Sequence, residues 1–285
     1  MKALIVGGKG QLGRELSEVA SPHVEIVAHG SDTLDVTDRD SVDTIVNKIK
    51  PDVVINAAAY TAVDKAESDE AAAYAVNATA VGLLANAASV NGARFIHIST
   101  DFVFDGMSGT PYLPTAPTNP LSVYGSTKLA GEKLAGENAL IVRTAWVYAP
   151  TGNNFVRTML RLMSERPEVR VVADQVGTPT YAPGLAGALW TLAAKNIAGL
   201  YHYTDAGVAS WYDFAVAIQE EAMIVGLLEK AVPIVPIATI DFPTPAKRPS
   251  YSVLDKSSIF TLLGGATPHW RTNLRIMLNE IKKNG

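Results

Sequence analysis

Cysteine is absent from all 285 residues. That excludes disulfides, thiolate metal sites and a cysteine nucleophile, and it fits a reducing compartment. Charge is sparse too. Charged residues make up 18% of the chain and the formal net charge is −4, so no global basic field favours nucleic acid or an anionic membrane. An anionic ligand would have to be met by local groups. The amino-terminal "MKALIVGGKGQ" has only a short apolar run, Ala3 to Val6, before its glycines, less than a signal peptide requires. No stretch reads as approaching the ~20 apolar residues of a membrane span. The five histidines, His23, His29, His97, His202 and His269, show no ligand spacing, so no metal site is expected. These absences lead to the expectation of a cytoplasmic protein with no nucleic-acid or membrane partner.

What is present is material for a core: 48% of the residues are hydrophobic. The length suits one large α/β domain, or one with a smaller companion. "KALIV" (2–6), "VEIVAH" (24–29), "PDVVINA" (51–57), "RFIHIS" (94–99) and "ALIVRT" (139–144) read as buried strands. Between the second and third, Val42, Ile45, Val46 and Ile49 form one helical stripe. "ESDEAAAYAVNATAVGLLANAASVNG" reads as a long helix, acidic at its start and stopped by Asn91-Gly92. Alternation of this kind predicts the α/β class, a Rossmann-type doubly wound parallel sheet.

Past residue 150 the rhythm changes. "NNFVRTMLRLMSERPE" reads as helix up to Pro167, "EVRVVADQVGTPT" as a strand entering a polar loop, and "PIVPIATIDFPTPAKRPSYSVLD" mostly as loop. The expected organisation is an NAD(P)-binding Rossmann domain over 1–150 and a smaller C-terminal, mainly substrate-binding lobe over 151–285, with some later pieces returning to the sheet.

Gly7, Gly10 and Gly13 follow the first strand directly and open a helix bearing Leu12, Leu16 and Val19. A dinucleotide site needs a tight turn, close backbone approach to a pyrophosphate and helix amides aimed at the anion. A plain strand-to-helix turn is the alternative, and the position at the first strand-helix junction favours the dinucleotide. An NAD-selective site usually places an acid at the end of the second strand. Here His29-Gly30-Ser31 stands there, with Asp32 a late candidate. Lys9 could instead meet a 2′-phosphate, or be a solvated lysine. The expected cofactor is NADPH, with NADH tolerated.

In "TNPLSVYGSTKLAGEKLAGE", Asn119-Pro120 reads as a helix start. Tyr124 and Lys128, four apart, then share one helical face. Free tyrosine, with a pKa of about 10, is a sluggish proton donor at neutral pH. A neighbouring ammonium is expected to lower that value, which suits carbonyl reduction. An ordinary exposed helix pair is the competing reading.

The glycines, then Thr100, then Tyr124 and Lys128 in this order and spacing resemble the extended short-chain dehydrogenase/reductase superfamily, whose members use a Ser/Thr-Tyr-Lys triad on a Rossmann sheet. "NAAAYTAVDKAE" is similar to the superfamily's strand-end segment beneath the cofactor. The resemblance implies cofactor contacts at Gly7, Lys9, Gly10, Gln11, Leu12, Gly13, Asp35, Val36, Ala57, Ala58, Ala59, Tyr60 and Ser99, together with Tyr124 and Lys128. Nucleotide-sugar 4,6-dehydratases of the superfamily carry Thr-Asp-Glu at the strand end that here reads Thr100-Asp101-Phe102. Elimination of water needs both an acid and a base, so Phe102 argues for plain carbonyl reduction.

"GQLGREL", "NAAAYTAVDKAE", "HISTDFVFDG", "RTAWVYAPTGNNFV", "DQVGTPTYA" and "KRPSYSVLD" together resemble one branch, the dTDP-4-dehydrorhamnose reductase family. That implies Thr100, Tyr124 and Lys128 as the triad, with Asp101 beside the sugar or acting as a turn cap. Val63 and Trp146 would be walls of the sugar pocket, or ordinary core. Asn154, Gln175 and Thr180 would contact nucleotide or sugar. Arg248 would bind the diphosphate, or be a solvated loop arginine. The implied substrate is a dTDP-linked 4-keto-6-deoxy sugar and the implied assembly a homodimer. Alternatives are a reductase or epimerase for another 4-keto sugar, and a non-catalytic regulatory subunit. Glu15 is read as an exposed helix glutamate rather than part of a cation site between subunits. Asn77 is read as a backbone tie and His97 as a packed core residue.

Overall fold

β1 (Lys2–Val6) is an interior strand, and its Ala-Leu-Ile-Val run tolerates burial on both faces, as a helix-covered parallel sheet requires. In the computed structural model, which describes residues 1–284, it is followed by α1 (Gln11–Glu18), β2 (Glu25–His29), α2 (Arg39–Ile49) and β3 (Val53–Asn56). α3 (Val63–Ala66) is a short helix. α4 (Glu70–Tyr74) runs through a π-helical turn, Ala75–Thr79, into α5 (Ala80–Val90). β4 (Arg94–Thr100) then ends in a 3-10 turn, Asp101–Val103, ahead of α6 (Val123–Leu134) and β5 (Leu140–Thr144).

The rest comprises β6 (Val147–Tyr148), α7 (Phe155–Glu165), β7 (Val169–Val172), β8 (Val176–Gly177), β9 (Thr180–Tyr181) and α8 (Ala182–Ala194). After these come β10 (Gly199–His202), β11 (Ala209–Ser210), α9 (Trp211–Ile224), β12 (Ile234–Ile237), α10 (Ser257–Leu263) and α11 (Trp270–Asn284).

Six strands form one parallel sheet in the order β10-β5-β4-β3-β1-β2. Leu12 and Leu16 of α1 and the apolar face of α8 cover one side. Val42 and Val46 of α2, with Val81, Leu84 and Ala88 of α5, cover the other. A separate apolar core joins α7, α9 and α11, with Phe214 and Met277 fully buried in it. β10 comes from beyond residue 150 and sits at the edge of the main sheet, parallel to β5.

Several sequence expectations need correction. α6 starts at Val123, not at Asn119-Pro120. The Asn119 amide donates to Asp105 Oδ2 at 3.1 Å, while Ser122 Oγ accepts the Gly125 N–H at 3.2 Å and caps the helix. Val19 is not on the buried face of α1; it follows the helix and is exposed. The segment 234–237, read as loop, is a strand paired with β7. Glu70–Val90 is long and apolar enough to cross a membrane by length and composition; here it buries Val81, Leu83, Leu84, Ala87 and Ala88 against the sheet.

Candidate active site

The carboxyl ends of β1 to β5 open into a cleft of about 1030 Å³. It lies where the sheet order turns, with β2 on one side of β1 and β3 on the other. Open α/β sheets bind ligands at such a switch point. Gly7 has φ +83°, and a Cβ there would come 2.6 Å from Ala58 N. A Cβ on Gly13 would come 2.2 Å from the Gly7 carbonyl oxygen. The loop therefore packs backbone on backbone, and only glycine permits that closeness. Gly10 caps α1 without a side-chain hydrogen bond, so the first amides of the helix are free to meet an anion. These residues fit a dinucleotide pyrophosphate.

Gly7, Lys9, Gly10, Gln11, Leu12, Asp35, Val36, Ala57, Ala58, Ala59, Tyr60 and Ser99 line the cleft. Gly13 lies behind its wall, against Gly7. Lys9 and Asp32, weighed in the sequence as rival contacts to the ribose, are bonded to each other: Lys9 Nζ donates to Asp32 Oδ2 at 2.7 Å. That hydrogen bond holds the Asp32 carboxyl below its ordinary value.

Thr100, Asp101, Tyr124 and Lys128 meet on one wall of the same cleft. Thr100 Oγ1 accepts the Phe102 N–H at 3.2 Å and donates to Asp101 Oδ1 at 3.1 Å, capping the 3-10 turn. α6 presses onto that turn: a Cβ on Gly125 would lie 2.2 Å from the Phe102 carbonyl oxygen. This contact sets the Phe102 ring edge-on to Tyr124, with centroids 5.5 Å apart. Burial pushes the Tyr124 phenol up to about 12; a hydrogen bond with Thr100 lowers it and the Asp101 charge raises it. The lowering expected from Lys128 is not found. Lys128 Nζ turns toward β4 instead, donating to the Ile98 carbonyl at 2.6 Å and lying 3.4 Å from His97 Nε2.

Burial holds the Lys128 ammonium down to about 8, with Glu132 opposing. Glu132, one turn further along α6, accepts from Arg143 Nε and Nη2 at 2.8 and 2.7 Å and from the Ser99 hydroxyl. Burial pushes the Asp101 carboxyl up to about 6, while the hydroxyls of Ser252 and Thr100 pull it back. Its Oδ2 has no hydrogen-bond partner among the described residues.

The residues expected at the substrate divide into two groups. Val63, Trp146 and Arg248 line the cleft. Trp146 has φ +47° and stacks on Trp211 at 3.5 Å, nearly parallel. Arg248 is bidentate to Asp64, with Nη1–Oδ1 3.0 Å and Nη2–Oδ2 2.8 Å. Asn154, Gln175 and Thr180 stand outside the lining. Asn154 caps α7 and donates to Gln11 Oε1 at 2.9 Å. Gln175 donates to Thr239 Oγ1 at 3.0 Å, and Thr180 is buried against Thr144.

Trp211, Asn153 and Thr144, not among the residues expected from the sequence, also line the cleft. Ser210 forms a capping box with Asp213 and so starts α9 at Trp211. That much was visible in "SWYD", but its placement beside Trp146 was not. Asn77 Oδ1 accepts the Tyr60 N–H at 2.8 Å and its amide donates to the Tyr60 carbonyl at 3.2 Å, a backbone tie. Glu15 is half-buried rather than freely exposed; burial raises its carboxyl, then the charges of Glu280 and Glu18. No group of three His, Asp or Glu positioned for a metal stands among the described residues.

Comparison with known proteins agrees with this geometry. The family model described as RmlD substrate binding domain matches residues 1–283. A dTDP-4-dehydrorhamnose reductase of Burkholderia thailandensis is 44% identical over 295 aligned positions, covering 99% of each chain. The crystal structure of a dTDP-4-dehydrorhamnose reductase from Clostridium acetobutylicum superposes with a TM-score of 0.93 at 42% identity, over 99% of this chain and 100% of that one. One from Bacillus anthracis, in complex with NADP, superposes with a TM-score of 0.92 at 37% identity, over 98% of this chain and 99% of that one. The chain belongs to the RmlD substrate-binding-domain family, that of the dTDP-4-dehydrorhamnose reductases.

Proposed function

We propose that the protein is an NADPH-dependent reductase that converts the C4 keto group of dTDP-4-dehydro-L-rhamnose to the hydroxyl of dTDP-L-rhamnose. The observation that carries this reading is the convergence of Thr100, Tyr124 and Lys128 on the wall of the cleft that the glycine loop floors.

NADPH, when bound, supplies the hydride, and the amides at the start of α1 would hold its pyrophosphate. Tyr124, protonated at neutral pH as an ordinary phenol is, gives its proton to the C4 oxygen as negative charge develops there, and must do so against the rise that burial imposes on it. Thr100, whose hydroxyl is placed at the turn by Phe102 and Asp101, would redirect its one proton from Asp101 to the substrate oxygen and so hold that oxygen beside the phenol. Lys128, by turning from the Ile98 carbonyl toward the phenolate left behind, would stabilise it and return a proton to it, for which a value near 8 is well suited. Asp101 would face the sugar. Phe102 fills the position where an elimination would need its second carboxylate, and it packs on the Tyr124 ring instead. The Trp146–Trp211 stack is the proposed platform for the substrate. A cytoplasmic homodimer that tolerates NADH completes the proposal.

The test is single-turnover oxidation of NADPH on adding dTDP-4-dehydro-L-rhamnose, followed by NMR of the product. Loss of the reduced-nicotinamide absorbance with the L-rhamno configuration at C4 is expected. No absorbance loss would point to a regulatory subunit, and the C4 epimer would point to another sugar reductase; either result overturns the assignment.

A further inference from the structure

Two donors converge on His97. Asn56 Nδ2 lies 3.3 Å from its Nδ1, and Asn56 Oδ1 is already committed, accepting the Ala58 N–H at 3.1 Å. That bond decides which end of the amide faces the ring. On the other side, Lys128 Nζ lies 3.4 Å from Nε2. The imidazole is wholly buried. Burial, then the Lys128 charge, holds it well below the ordinary histidine range, so it is neutral.

A neutral imidazole has one N–H and one lone pair, so it cannot accept from both donors. With its proton on Nδ1, the ring accepts from a Lys128 ammonium but sets its own N–H against the Asn56 amide. With the proton on Nε2, it accepts from Asn56 and donates toward Lys128, which then needs the lone pair of an amine. Only the amine form of Lys128 satisfies every polar atom in this row. An unmatched buried donor is costly, so the arrangement disfavours the ammonium.

We propose that His97 is a positioning residue whose tautomer is tied to the charge on Lys128, and that Asn56, by fixing a donor at Nδ1, biases Lys128 toward the amine. The ring carries one proton in both states, so its own charge does not change. Glu132, on the same helix, acts on Lys128 by its charge and is paired with Arg143 of β5, while Tyr124 and Asp101 line the same cleft wall. The π-helical turn packed against α6 contributes the neutral Asn77, bonded to Thr127. In turnover the bias would ease return of a proton from Lys128 to the Tyr124 phenolate: one N–H proton leaves the ammonium and one O–H forms. That consequence rests on the function proposed above, whereas the tautomer coupling does not.

The experiment uses the cofactor-free full chain with nitrogen-15 imidazoles. Two-bond proton–nitrogen spectra report the His97 tautomer, and the Lys128 Cε resonance, assigned by its loss in Lys128→Met, reports the lysine titration. The expected result is a change from Nδ1–H to Nε2–H as pH rises through the Lys128 midpoint, with His97 neutral throughout. His97→Gln places an amide oxygen that can accept from the ammonium, and should raise the Lys128 midpoint by about one pH unit, tenfold in proton affinity. A single His97 tautomer through the whole lysine titration, or an unchanged midpoint in His97→Gln, overturns the proposal. Failure of the reductase assay would leave these spectra as they are, so the two readings fail separately.

Discussion

Lys128→Met is expected to stabilise the protein at neutral pH while removing turnover. The side chain is only 2% exposed, and burial brings its ordinary value of 10.5 down to about 8, against the opposing charge of Glu132. A difference of about 2.5, at ~1.4 kcal/mol per pH unit, is about 3 kcal/mol of destabilisation carried by the folded state at neutral pH. Methionine fills similar space and loses the hydrogen bond to the Ile98 carbonyl, about 1 kcal/mol. The net gain is therefore about 2 kcal/mol. The sign in pH follows from the lowered value. From about 8 to 10.5 the unfolded chain keeps a proton that the folded chain has released, so wild-type stability rises through that window and the full penalty applies below it. Tyr124, raised from 10.0 to about 12, acts in the opposite sense only above its ordinary value. Urea unfolding followed by tryptophan fluorescence, at a series of pH values from neutral to 10, gives the difference between wild type and variant. That difference should narrow as pH rises. A variant less stable than wild type at pH 7, or a gap that does not change across the window, would refute the buried-cation reasoning.

Tyr124→Phe should cut kcat by roughly 10²- to 10⁴-fold, the range for losing a general acid, with cofactor affinity by fluorescence titration nearly unchanged; wild-type turnover would remove the proton-donor role. Glu132→Ala leaves the Arg143 guanidinium, 4% exposed, without its carboxylate, and should lower unfolding free energy by about 3–5 kcal/mol; a loss under ~1 kcal/mol would mean the pair is effectively solvated. Gly13→Ala should weaken cofactor binding and lower Tm together, since the new Cβ meets the Gly7 carbonyl at 2.2 Å; a variant that binds normally would show that the loop gives way without cost. Asp32→Asn frees Lys9 from its carboxylate and should raise affinity for NADPH relative to NADH, measured as a ratio of Kd values; an unchanged ratio would place Lys9 away from the 2′-phosphate.

Local features of the chain were legible where one short stretch determines the outcome. The strands read at 2–6 and 94–99, the stripe through Val42 and Val46, and the glycine loop all depend on neighbours a few residues away. Tyr124 and Lys128 could be paired because a helix turn brings them together whatever surrounds it. The helix starts later than Asn119-Pro120 because Asn119 is turned to Asp105, fourteen residues earlier, and the Ser122 hydroxyl takes the cap. The phenol rises instead of falling because burial, which spacing does not show, outweighs its neighbours. Spacing put an ammonium near it, but the Ile98 carbonyl, thirty residues away in the chain, draws that ammonium toward the sheet. Trp211 and Trp146, sixty-five positions apart, meet only through the fold. Asn154, Gln175 and Thr180 have the polar character of ligand contacts, yet the bonds they make are to the protein itself.

Two cations in the cleft are held by the chain's own carboxylates, and the difference between them bears on specificity. The side chains of the Lys9–Asp32 pair are 69% and 50% exposed, so water and salt screen it and little is lost when the lysine turns to another anion. The Arg248–Asp64 pair is less exposed, at 25% and 41%, and bidentate. Its guanidinium also donates to Thr244 Oγ1 and the Ala246 carbonyl. Giving up that set of bonds costs more, so an anion that displaces Asp64 must offer matching planar geometry and greater charge, as a diphosphate does. Exchange at Lys9 is permissive, so if Lys9 meets the cofactor as proposed, a 2′-phosphate should add only modestly to affinity and a 2′-hydroxyl should still be accepted. Exchange at Arg248 is selective, so discrimination in this cleft should fall more heavily on the nucleotide-sugar than on the choice of nicotinamide cofactor.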